Sequence, residues 1–108
     1  MADPGPINPA GVRQGAQPAV RLEVPRLLSD CTDGETALQL WAGTLEEAFG
    51  EVRRRWPMLA LHIFEESGAL RPHVLVLYNG RATRWMPSLD TPLRQGDELQ
   101  IVQAVSGG

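Results

Sequence analysis

The sequence has 108 residues, of which 43% are hydrophobic and 21% charged, and its formal net charge is −3; this length supports one domain with a core of its own. The acidic balance argues against nucleic-acid binding, which needs a basic surface, and the single cysteine, Cys31, excludes an internal disulfide. No stretch approaches the roughly 20 apolar residues of a membrane span and no secretory signal is recognisable, so we expect a cytoplasmic protein with no membrane or nucleic-acid partner.

The first 18 residues are rich in proline and glycine and hold few large apolar side chains. Such a segment cannot bury enough surface to offset the entropy that ordering costs. The sequence therefore predicts a disordered leader over residues 1–18 and a folded part that starts near Ala19.

Two strands are predicted at the start of the folded part. Apolar and polar residues alternate from Ala19 to Val24, which is the period of a half-buried strand. A polar loop is expected over residues 29–34, and residues 35–41 form the second predicted strand. The spacing of the two strands suits a hairpin with a long loop.

A helix is predicted over residues 44–56. Thr44 and Glu47 have the spacing of a capping box, and the following apolar residues recur on one helical stripe. Pro57 prevents the helix from continuing. Residues 58–71 are expected to be irregular, with room for a short helical turn.

The second half of the chain is predicted to supply the remaining strands. Residues 73–78 are the most apolar run, Asn79-Gly80 is a strong hairpin signal, and residues 81–85 return as a short strand. A turn at 90–93 precedes the last strand, 98–105. The order of elements predicts an α+β fold, with one main helix across one mixed sheet whose first and last strands pair in parallel at its centre.

Side-chain alternation assigns Leu75, Leu77 and Val102 to the sheet face opposite the main apolar face. One helix covers only one face of a sheet. We therefore expect these three residues to form an apolar, partner-binding patch beside the chain end. The alternative is that a loop covers them.

The remaining chemically notable residues indicate no catalytic or metal site. His62 and His73 have no cysteine or carboxylate at ligand spacing, and Cys31 has no histidine near it in sequence. The run 53–55 of three arginines is expected to be a solvated helix end, with binding to an acidic partner as the alternative. Packing in the core or at its rim is expected for the three tryptophans, Trp41, Trp56 and Trp85.

The order of elements, followed by Gly107-Gly108, resembles the β-grasp fold of ubiquitin-like proteins. More narrowly, it is similar to the MoaD/ThiS sulfur-carrier family, including the CysO-type branch. The resemblance covers residues 19–108 and implies a β-grasp domain over 19–105 and a flexible tail over 106–108. Gln103 departs from the proline common in relatives, and Ser106 from their alanine or threonine. The matching segments are 44–48 at the helix start, 76–80 at the strand and turn, 93–99 with its Gly-Asp-Glu turn, and 104–108 at the end.

The family resemblance implies a carrier that is a co-substrate and not itself an enzyme. A ubiquitin-activating-type adenylyltransferase (MoeB/ThiF-like) would consume ATP to activate the carboxylate of Gly108, and sulfur attack would leave a thiocarboxylate there. Ser106 and Gly107 would thread the partner's active site, which glycines suit because they lack Cβ. No bound cofactor is expected in the chain itself.

A downstream sulfur-accepting enzyme would then use the sulfur to make cysteine, molybdopterin, thiamin or a sulfur-containing metabolite. Two other functions remain open at this point. One is a covalent modifier joined to lysines through Gly108. The other is a non-covalent ubiquitin-like interaction module whose tail is inert.

Overall fold

The computed structural model describes residues 17–103. The predicted leader, except for its last two residues, and the predicted tail 106–108 lie outside the described residues, as do positions 104 and 105. Within that range the elements run in the order β1 (Ala19–Glu23), β2 (Ala37–Trp41), α1 (Leu45–Arg55), α2 (Pro57–Ile63), β3 (Val74–Tyr78), β4 (Arg81–Ala82) and β5 (Glu98–Gln103).

The strands form one mixed sheet in the order β2-β1-β5-β3-β4. β1 and β5 are parallel neighbours at its centre, and the other pairs are antiparallel. The predicted α+β, β-grasp architecture is therefore confirmed. One face of the sheet packs with the buried sides of the helices in a single core, to which the strands contribute Val20, Leu22, Leu38, Leu40, Val74, Val76, Leu99 and Ile101.

Helix α1 begins where its capping signals place it. The Thr44 hydroxyl accepts a hydrogen bond from the Glu47 N–H at 3.1 Å. The Glu47 carboxylate accepts one from the Gly43 N–H at 2.8 Å, so the reciprocal contact reaches one residue further back than in the usual capping box. The apolar stripe of the helix, which is buried in the core, comprises Leu45, Ala48, Phe49 and Val52.

A second helix occupies part of the segment that the sequence predicted to be irregular. Pro57 ends α1, as predicted, but it also stands at the first position of α2. Proline suits that position because its φ is already helical and the first N–H of a helix has no intrahelical acceptor. Leu59 and Ile63, four residues apart, are both buried. These two side chains, one helical turn apart, anchor α2 in the core.

The predicted loop 29–34 begins inside a 3₁₀ helix, Arg26–Thr32. Thr32 is buried, and its hydroxyl donates to the Glu35 carbonyl at 2.6 Å. Cys31 is half-buried against the core.

The predicted strand over residues 81–85 is only two residues long. After β4 the chain forms a 3₁₀ turn, Thr83–Trp85. The Thr83 hydroxyl donates to the Val76 carbonyl at 2.9 Å, and the Arg84 guanidinium donates to the Val74 carbonyl at 2.6 Å. These side chains replace the backbone donors that a longer β4 would offer to β3.

The expectation for the tryptophans was wrong at one position. Trp41 and Trp56 are half-buried, which agrees with rim packing. Trp85 is 73% exposed. The 3₁₀ turn explains the difference, because β4 has ended and the chain no longer follows the sheet at that point.

Candidate functional site

The three predicted patch residues share the face of the sheet opposite the core. Leu75 lies directly opposite Val102 in the β3–β5 register, and Leu77 lies two residues further along β3. All three are half-buried, so each keeps some contact area for a partner. We call these residues the open-face patch. That a partner binds there stays a prediction.

Polar residues border the open-face patch toward the middle of the sheet. Gln100 faces Leu77 across the β3–β5 pair and Glu23 across the β5–β1 pair. Glu23 in turn lies 3.5 Å from Arg21 in an exposed ion pair. The open face thus changes from charged on β1 to apolar on β3. A partner that covers the apolar part meets a polar border, as in protein–protein interfaces.

The patch lies beside the end of β5, the last described element before the predicted tail. β5 ends at Gln103, which lies opposite Val74, and Val102 of the patch is the residue before it. The predicted tail residues Ser106, Gly107 and Gly108 lie outside the described residues. The fold therefore places the start of the segment that leads to Gly108 beside the apolar surface.

A groove that sequence reasoning missed lies between the end of β1 and the end of β5. Its volume is about 500 Å³. The lining residues include Val24, Pro25 and Arg26 on one side and residues 101–103 on the other. The available sequence signal was Pro25, directly after the first strand, because proline cannot donate to a strand ladder.

The Gly-Asp-Glu turn has a structural role at the opposite end of β5. The Asp97 carboxylate accepts hydrogen bonds from the Arg94 backbone N–H at 2.8 Å, the Tyr78 hydroxyl at 2.9 Å and the Asn79 amide at 3.1 Å. Burial raises the pKa of Asp97, but these hydrogen bonds outweigh burial and leave the pKa below 3.8. Burial, with the hydrogen bond to Asp97, raises the pKa of Tyr78.

The three arginines at the end of α1 have mainly structural contacts. Arg53 lies 4.1 Å above the Phe64 ring and donates to the Gly68 carbonyl at 3.0 Å. Arg55 lies 4.3 Å above the neighbouring Trp56 ring and donates to the Gln39 carbonyl on β2 at 2.9 Å. The remaining arginine of the three, Arg54, pairs with Glu51. The helix end is thus held to the sheet and to α2.

Across residues 17–103, no group of three or more histidine, cysteine or acidic side chains is placed to hold a metal ion. His62 and His73 are both exposed. No helix in this part of the chain is long and apolar enough to cross a membrane.

Comparison with known sequences identifies one family. The model of the ThiS family matches residues 24–108. A protein of Archaeoglobus fulgidus with the name "Putative sulfur carrier protein" is 41% identical over 46 residues, which are 43% of this chain and 52% of that protein. The chain thus spans about half the length of the curated relative that it matches.

Comparison with solved structures gives the same fold. A chain of the BexX/CysO complex from Amycolatopsis orientalis is 27% identical, with a TM-score of 0.71 over 82% of this chain and 99% of that chain. The small archaeal modifier protein 1 from Methanosarcina acetivorans is 26% identical, with a TM-score of 0.71 over 85% of this chain and 98% of that chain. The family match extends beyond the described sheet as far as residue 108.

Proposed function

The chain belongs to the ThiS family of ubiquitin-like sulfur carriers, and we propose that it carries sulfur as a thiocarboxylate on Gly108. The observation that carries this proposal is the family match through Gly107-Gly108. The fold supports it, because β5, a central strand of the sheet, is the last element before that segment in the sequence. We place this chemistry in the cytoplasm, because a reducing compartment keeps a single cysteine in its thiol form.

The proposed chemistry begins with a carboxylate, which is a poor electrophile. Its oxygen attacks the α-phosphate of ATP, pyrophosphate leaves, and an acyl-adenylate forms on Gly108. A sulfide-level donor then attacks the carbonyl carbon and AMP leaves, so one oxygen of the carboxylate is replaced by sulfur. The chain itself supplies the acyl group, and the partner supplies the catalytic groups.

Chain geometry limits where this reaction takes place. Five residues follow Gln103 in the sequence, and an extended residue spans at most about 3.6 Å. The carboxylate therefore reaches at most about 18 Å beyond the end of β5. Gly107 and Gly108 lack Cβ atoms, which allows another backbone to approach closely in a narrow channel.

The partner we propose is a ubiquitin-activating-type adenylyltransferase, MoeB/ThiF-like, that consumes the ATP and docks on the open-face patch. The patch is apolar, partly exposed and adjacent to the end of β5, the last described element before the tail. The similar chain from Amycolatopsis orientalis was solved in a complex with BexX, which supports a function in partnership with other proteins. A downstream enzyme accepts the sulfur.

The decisive experiment incubates the full chain with ATP, the adenylyltransferase and a sulfur donor. Intact mass spectrometry is expected to show one oxygen replaced by sulfur, localised to the C-terminal peptide. Deletion of Gly108, or addition of one residue after it, is expected to abolish the product. One residue moves the carboxylate by about 3.3 Å, whereas reacting atoms must lie about 3–3.5 Å apart. Sulfur transfer to the truncated chain would refute the proposal.

A second candidate function is covalent modification of other proteins, favoured by the similarity to a small archaeal modifier protein. Its chemistry is the same up to the adenylate, after which a lysine amine attacks in place of sulfur. Adducts of higher mass joined through Gly108 would favour this function. If neither a thiocarboxylate nor an adduct forms while the chain still binds partners, a non-covalent module is the better description.

A further inference from the structure

Among residues 17–103, the end of β5 has an unpaired edge on the side of β1. The parallel register pairs Arg21 with Glu98 and Glu23 with Gln100, and it ends there. Residues 101–103 continue as a strand beyond the end of β1. A strand edge without a neighbour exposes N–H and C=O groups that can pair with another chain.

Pro25 explains why the ladder stops. The Arg21 N–H donates to the Asp97 carbonyl at 2.9 Å, and alternation along a parallel ladder turns the backbone groups of Ile101 toward β1 as well. The next β1 donor would come from Pro25, which has no N–H. The Pro25 carbonyl instead accepts from the Leu28 N–H at 2.9 Å as the chain turns into its 3₁₀ helix.

The backbone groups of Gln103 face the same open side. The Asn79 N–H donates to the Glu98 carbonyl at 2.9 Å, so by antiparallel alternation the Val74–Gln103 pair is not a hydrogen-bonded pair. The Val74 carbonyl agrees with this assignment, because it points away from β5 and accepts from Arg84. The N–H and C=O of Gln103 therefore point toward the place where β1 would have continued.

The space beside this edge is open. It is the groove of about 500 Å³ between the ends of β1 and β5, and because the chain turns away at Pro25, no part of residues 17–103 fills it. Arg26 is exposed on its rim, and among residues 17–103 it takes part in no ion pair. Arg21 and Glu23, which also line the groove, form an ion pair with each other, so their charges neutralise one another.

We propose that in this chain, where Gln103 keeps the backbone N–H that the proline common in relatives lacks, this edge accepts an extended strand of the enzyme that activates Gly108, with an acidic side chain of that strand beside Arg26. This inference rests on the proposed function. Unpaired backbone donors and acceptors call for the backbone of an extended strand. The edge also leads directly into the segment that ends at Gly108, so a strand paired with residues 101–103 would guide the tail into the active site.

The test compares two substitutions at the same position. Gln103→Pro removes the N–H that faces the open edge but no hydrogen bond of the β3 ladder, whereas Gln103→Thr keeps the N–H. Titration calorimetry with the adenylyltransferase is expected to show a Kd about fivefold higher for Gln103→Pro than for Gln103→Thr, which corresponds to about 1 kcal/mol. Thermal melts of both variants check that the sheet is intact.

The acidic partner side chain is tested by charge reversal. Arg26→Glu is expected to raise the Kd about tenfold. Arg81→Glu, which makes the same charge change on exposed β4 at the far end of the sheet, is expected to leave the Kd within twofold.

Hydrogen exchange measures the protection of backbone amides at this edge directly in the full, unmutated chain. The amide of Gln103 is expected to gain protection when the adenylyltransferase and ATP are added, whereas the amides of Ile101 and Val102 already face β1 and β3 and serve as internal references. If adenylation of Gly108 proceeds but hydrogen exchange at the end of β5 is unchanged, or the two Gln103 variants have equal Kd values, the strand proposal is overturned. Failure of adenylation itself would instead overturn the proposed function, and this inference with it.

Two other occupants of the edge are also distinguishable. Protection already present in the free chain and lost on deletion of residues 1–16 would assign the edge to the chain's own N-terminal segment. Protection that rises with protein concentration would assign it to a second copy. Either result would overturn the proposal.

Discussion

Replacing Asp97 by asparagine tests the network that holds the start of β5. The carboxylate accepts three hydrogen bonds, from the Arg94 backbone N–H and from the side chains of Tyr78 and Asn79. An asparagine offers one acceptor oxygen, and its amide nitrogen faces a donor. Because a hydrogen bond to a charged group contributes about 1.5–3 kcal/mol, we expect Asp97→Asn to lower the free energy of unfolding by about 1.5–3 kcal/mol.

The pH dependence identifies the carboxylate charge as the cause. Burial raises the pKa of Asp97, but its hydrogen bonds lower the pKa by more than burial raises it. The pKa in the folded state is therefore below 3.8. A lowered folded-state pKa stabilises the fold fully above the unfolded-state value, and this stabilisation is lost as the pH falls through the folded-state pKa. The stability difference between wild type and Asp97→Asn is therefore expected to be largest at neutral pH and to shrink below pH 3.8.

Urea denaturation followed by tryptophan fluorescence measures this difference at neutral pH and at the lowest pH at which the wild-type chain stays folded. The exposed Asp90 supplies a matched control, since Asp90→Asn makes the same chemical change outside the network. Equal stability of wild type and Asp97→Asn at neutral pH would refute the reasoning. A difference that does not depend on pH would show that the lost interaction is not with the carboxylate.

Two further predictions concern the open-face patch and the second helix. Leu75→Glu and Val102→Glu are each expected to weaken binding to the adenylyltransferase without unfolding the chain, because the new charge must leave water without an opposite charge beside it. Gln39→Glu lies on the same face but on the edge strand β2 and is the control. Calorimetry measures the binding, and thermal melts check the fold. Unfolding of both variants would show that the patch belongs to the core. Leu59→Ala is expected to cost about 2–5 kcal/mol in urea denaturation, because Leu59 is fully buried in α2, and a cost below about 1 kcal/mol would mean that α2 contributes little to the core.

Local signals in the sequence predicted α1 and the sheet faces. The Thr44–Glu47 spacing acts within one turn of chain, and the period of two that assigned Leu75 and Val102 to one face is a property of every strand. Both depend on neighbours in sequence and hold wherever the strand or helix forms. The element order and the family resemblance then supplied the parallel pairing of β1 with β5.

What the sequence did not predict depends on contacts between distant segments. Pro57 was identified as the end of one helix, but its role as the start of α2 requires a core surface for Leu59 and Ile63. The early end of β4 follows from side-chain hydrogen bonds of Thr83 and Arg84 to β3. The groove beside β5 follows from the register of β1 against β5, which brings Pro25 to the point where the ladder must stop.

The two ends of β5 are held in contrasting ways, and this contrast separates stability from partner binding. At its start, Asp97 connects β5 to the turn after β3 and to its own preceding loop. At its end, Gln103 pairs with a strand on one side only within the described range 17–103. A change at Asp97 is therefore expected to alter unfolding while leaving the Kd for the activating enzyme nearly unchanged, and Gln103→Pro is expected to do the reverse. If both changes moved both quantities together, the sheet would transmit strain along β5, and the end of the strand could not serve as an independent docking edge.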